Sequence, residues 1–85
     1  MMKKIAVICA ILEEPQQTQR EFNEIVSNFQ GIIKGRMGIP FDQENMAAVS
    51  ITVVATMDEI NSLTGKLGKL KHVSVKTAIS SKEAM

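Results

Sequence analysis

Apolar residues in this chain form first a continuous run, then recur at helix spacing, then pass through two more strand-like runs, a second helix and a last strand. That order leaves few folds open. Lys4 to Leu12 is a continuous run rich in Ile and Val, as in a central strand covered on both faces. Pro15 suits the first turn of a helix, and Glu13 and Glu14 suit its positive end. Phe22, Ile25, Val26 and Phe29 then form one helical stripe, which Gly31 is expected to stop as a C′ glycine. Ile32 to Ile39 reads as a second strand, with Ile33, Met37 and Ile39 inward and Lys34 and Arg36 on the other side. After a polar connection from Pro40 to Asn45, Met46 to Ala55 forms a third strand. Thr56-Met57-Asp58-Glu59 matches a capping box, and Ile60, Leu63, Leu67 and Leu70 supply the buried stripe of a second helix. Val73 to Ile79 closes the chain as a fourth strand, with Val73, Val75 and Ile79 inward and Ser74 and Lys76 outward. Residues 79–85 are expected to fray.

The order is therefore β-α-β-β-α-β. Right-handed crossovers place both helices on one face of a four-stranded antiparallel sheet, with the first and third strands central. This is a ferredoxin-like α+β fold, expected as one domain over residues 1–85. A chain of 85 residues buries only about 60% of its unfolded surface and is marginal alone. One cysteine, Cys9, forms no internal disulfide, and one histidine, His72, builds no imidazole-rich metal site. Self-association, as a dimer or tetramer, is the remedy left. The net charge of +1 implies no strong field toward nucleic acid or membrane. Lys3-Lys4 and the apolar run after it imitate a secretory signal. However, Glu13-Glu14-Pro15 follows without a small-residue cleavage pattern, so a cytoplasmic protein without a membrane span is expected.

One sheet face is left bare by this topology. Strand parity assigns Ala6, Ile8 and Ala10 to it from the first strand and Ala48, Ser50 and Thr52 from the third, with Lys34, Arg36 and Lys76 as a basic border. The same parity buries Cys9 among Ile5, Val7 and Ile11, as a small hydrophobe and not a nucleophile.

Four of the five glycines sit in two segments, Gly35-Arg36-Met37-Gly38 and Gly65-Lys66-Leu67-Gly68. Gly35 is expected on the helix side of its strand, and Gly38 on the Arg36 side or at a bulge before Pro40. Gly68 suits a C′ position ending the second helix at Leu67. Gly65 falls opposite the buried stripe, where alanine would be more stable, so it is either a neutral surface glycine or the mark of a close approach by a ligand or subunit. The sharper motifs fail. Gly65-Lys66 lacks the rest of a P-loop. The central strands carry none of the stacking aromatics of an RNA-recognition motif. No nucleophile–base arrangement or carboxylate pair emerges, so neither catalysis nor a cofactor is expected.

The stretches Gly31-Ile32-Ile33-Lys34-Gly35-Arg36-Met37-Gly38-Ile39-Pro40-Phe41 and Leu63-Thr64-Gly65-Lys66-Leu67-Gly68, continued by Val73-Ser74-Val75-Lys76-Thr77-Ala78, resemble the iron-only hydrogenase system regulator family. The resemblance implies a small ACT-like domain, associated with iron-only hydrogenase genes and similar to the effector domain of the nickel-responsive repressor. That repressor holds nickel through several histidines and a cysteine. This chain departs from the pattern, so no metal is expected.

These readings lead to an oligomeric regulatory or ligand-sensing module, acting on hydrogenase expression or assembly through a protein partner or a small-molecule effector. Arg36, Gly38, Thr64, Gly65, Lys66 and Lys76 are expected to line its ligand or subunit contact. The alternatives are a direct DNA-binding repressor and a structural subunit of a hydrogenase-associated complex. The low net charge argues against the repressor, so direct nucleic-acid binding is not expected.

Overall fold

A computed structural model describes residues 2–84. The elements are β1 (Lys3–Glu13), α1 (Pro15–Ser27), a single 3-10 turn (Gln30–Ile32), β2 (Ile33–Phe41), β3 (Met46–Ala55), α2 (Met57–Gly68) and β4 (Val73–Ala84). All strand pairs are antiparallel, in the order β2-β3-β1-β4. The ferredoxin-like α+β architecture follows, with β1 and β3 central as the element order requires. No helix is long and apolar enough to cross a membrane among the described residues.

The core lies between the sheet and its two helices. Ala6, Ile8, Ala10 and Leu12 of β1 and Val49, Ile51, Val53 and Ala55 of β3 form its floor. Phe22 and Val26 of α1 and Ile60, Leu63 and Leu67 of α2 form its roof. Each fully buried Leu, Ile or Phe contributes about 1.5–3 kcal/mol. The α2 start forms the capping box that its sequence announces: Glu59 N–H donates to Thr56 Oγ1 at 3.2 Å, and Thr56 N–H donates to Glu59 Oε1 at 2.9 Å. These bonds to the carboxylate, from the Thr56 backbone first and its hydroxyl second, lower the Glu59 pKa.

Neither helix ends on a left-handed glycine. Gly31 lies inside the 3-10 turn and Gly68 is the last residue of α2, and no described glycine has positive φ. The chain leaves both helices through right-handed caps, Asn28 and Lys69, whose N–H groups donate to carbonyls three or two residues back. The left-handed positions are Glu14, Asn45 and His72. They meet at one end of the sheet, where Glu13 N–H donates to His72 O at 2.7 Å and Glu14 N–H to Asn45 O at 2.9 Å. Three connections are thereby tied into one edge.

The chain's end does not fray as expected. β4 continues to Ala84, and Glu83 and Ala84 pair with Lys4 and Lys3. A bulge separates this part from the rest of the strand, and there Ser80 Oγ accepts from Ile5 N–H at 3.1 Å. Its polar composition suggested a tail, but β1 extends far enough to supply backbone partners. Met85 lies outside the described residues.

Candidate functional site

The parity expected for β1 is reversed. Ala6, Ile8 and Ala10 face the helices, whereas Ile5, Val7, Cys9 and Ile11 lie on the uncovered face. Their register partners there are Val54, Thr52, Ser50 and Ala48. Cys9 is therefore exposed and not a core residue. A strand apolar on both sides does not declare its parity by composition. One signal was present: Lys3 and Glu13 share parity with Ile5 to Ile11, bracketing that side with charge.

β2 is reversed for a different reason. Its register with β3 shifts between Ile33 and Gly35. One extra residue moves every later side chain to the opposite face. Ile33 stays on the helix side. Met37, Ile39 and Phe41, opposite Ser50, Ala48 and Met46, stand on the uncovered face, as does Gly35 opposite Thr52. The bulge lies at Lys34, not before Pro40.

Arg36 and Gly38 consequently leave the expected basic border for the helix side, opposite Ile51 and Val49. The Arg36 guanidinium lies 5.7 Å from the centroid of the Phe22 ring and donates to Asn23 Oδ1 on α1 at 2.6 Å. On α2, Thr64 Oγ1 donates to Asn61 O at 3.3 Å, and Lys66 Nζ lies 5.5 Å from the Phe29 ring centroid. Gly65 is exposed, and a Cβ there would meet nothing within 4 Å. Lys76, opposite Cys9, is the one member of the expected set on the uncovered face. The fold divides the six residues between its two faces: five sit on the helix side and Lys76 on the other.

What the fold assembles instead is an apolar sheet surface. Five of the eight exposed large hydrophobic side chains among the described residues belong to it: Ile5, Ile11, Met37, Ile39 and Phe41. Along β3 the surface is small, with Ala48, Ser50 and Thr52 forming the floor of a trough. Two adjoining hollows of about 190 and 180 Å3 lie along it, both bordered by Ile11 and Ala48. Away from the strand ends, Lys76 is the charged residue that the strand register places on this face. Exposed apolar side chains gathered on one face make it the candidate interaction surface of the fold.

His72 stands apart from Cys9, with Nδ1 4.0 Å from Glu14 Oε2. No three His, Cys, Asp or Glu side chains come together as a metal-holding group among the described residues.

The family model described as "TM1266-like: Iron-only hydrogenase system regulator, putative" matches residues 4–77. The chain belongs to this family. The likeness extends to three dimensions in the uncharacterized protein TM1266 from Thermotoga maritima, at a TM-score of 0.87 and 34% identity. The match covers 91% of this chain and 96% of that one. No curated protein matches the sequence. In this TM1266-like chain the uncovered sheet face is the first surface to consider for function.

Proposed function

We propose that this TM1266-like chain is a regulatory module of the iron-only hydrogenase system, acting through contacts with an effector or a protein partner on hydrogenase expression or assembly. The observation that carries this reading is the apolar, nearly uncharged sheet face in a member of a family with a regulator's description. Such a face suits binding and assembly, since a catalytic site concentrates convergent polar and titratable groups.

Native mass spectrometry of the protein purified from its own host tests the reading. The expected result is a complex that retains a hydrogenase-system protein or a small molecule. Protein free of both, which binds promoter DNA with a steep salt dependence, would instead support a direct DNA-binding repressor.

A further inference from the structure

One row across the uncovered face alternates in size from strand to strand. In the row Ile39–Ala48–Ile11–Ser74, read across β2, β3, β1 and β4, large side chains alternate with small ones. A second copy turned about an axis along the sheet midline, between β3 and β1, places β4 over β2 and β1 over β3. Ile11 then stands over the copy's Ala48, and Ile39 over the copy's Ser74. An axis perpendicular to the strands and running along that row would set Ile11 over Ile11 and Ala48 over Ala48, leaving the trough there unfilled.

We infer that the partner of this face is a second copy of the same chain, stacked sheet to sheet about a two-fold axis parallel to the strands. This rests on reading the face as the module's contact surface. In the row Met37–Ser50–Cys9–Lys76, the axis puts Cys9 over the copy's Ser50 and Lys76 over the copy's Met37. The Lys76 stem then covers apolar surface while its charge reaches the rim. The size of the face also suits a dimer. Four strands about ten residues long cover roughly 600 Å2 at ordinary strand spacing and rise, or about 1,200 Å2 counted over both copies, the lower end of stable interfaces. β1 would then be covered on both faces, as its uninterrupted apolar run requires.

Sedimentation velocity on the full chain tests the inference, using wild type, Met37→Glu on the uncovered face and Met57→Glu on α2. Wild type and Met57→Glu are expected to dimerise, and Met37→Glu to sediment as a folded monomer by circular dichroism. To test the axis, wild type is mixed with a Cys9→Ser/Ser50→Cys chain and treated with a short bis-maleimide. Cross-links between the two chain types should dominate over Cys9–Cys9 links. Monomeric wild type, an undisturbed Met37→Glu dimer, or dominant Cys9–Cys9 links would overturn the inference. A wild-type monomer that still co-purifies with a hydrogenase-system protein would overturn self-association while leaving the regulatory reading intact. A cross-linked dimer retaining neither partner nor effector would support self-association and count against that reading.

Discussion

Cys9 is the cross-strand partner of Ser50, near the middle of the central β1–β3 pair and on the face that no helix covers. The chain's one thiol thus reports directly on whether anything sits over the centre of the sheet. It also separates two surfaces that the sequence suggested were one. The apolar uncovered face lies around Cys9, whereas Arg36 and the outward residues of α2 lie on the helix side.

Arg36 is expected to act on stability and not on sheet-to-sheet assembly. Its hydrogen bond to Asn23 and its place over Phe22 fasten the edge strand to α1. Arg36→Ala should cost about 1 kcal/mol, given an exposed cation–π contact and one side-chain hydrogen bond. Chemical denaturation of Arg36→Ala, Asn23→Ala and the double variant should show coupling between the two sites, while the association constant stays unchanged.

The capping box should make part of the stability acid-sensitive. The folded-state pKa of Glu59 is lowered by its bonds from Thr56. Its contribution is therefore complete above the unfolded carboxylate pKa of about 4.3 and is lost as pH falls through the lower folded value. Denaturation of wild type and Glu59→Gln should differ at neutral pH and converge in acid. Thr56→Ala removes the cap itself and should cost about 1 kcal/mol at pH 7.

Thr18 is buried in α1, and its hydroxyl finds no hydrogen-bond partner among the described residues. Thr18→Val keeps the branched shape and removes the unpaired group, so it should stabilise the protein by about 1 kcal/mol. Thr18→Ser keeps the hydroxyl and loses the methyl, and should lower Tm. A thermal melt of the pair distinguishes the two effects.

Gly65 is an exposed helical position with open space where a Cβ would stand. Gly65→Ala should stabilise the fold by about 0.5–1 kcal/mol through helix propensity alone. A higher Tm with unchanged assembly is the expected result. A higher Tm accompanied by loss of partner or effector binding would mark α2 as a second contact surface.

The element order and the capping box were legible in the sequence because each rests on local signals: period, Pro15, and the Thr56–Glu59 spacing. The orientation of two strands was not. In β1 both parities are apolar, so neither face announces the core. In β2 the reversal depends on one bulged residue at Lys34, whose backbone register leaves no mark in side-chain type. Reading β3 correctly was easier, because Val49, Ile51 and Val53 contrast with Ala48, Ser50 and Thr52. The assignment of residues to the two faces suffered most from these reversals. Lys76 was placed correctly, whereas the apolar residues that dominate the face were assigned to the core.

The most direct measurement is the rate of Cys9 alkylation by a maleimide, followed as a function of protein concentration. If a second copy covers the sheet, the rate falls as concentration rises, and Met37→Glu removes that dependence. A wild-type rate that stays fast and independent of concentration would contradict the paired-sheet account.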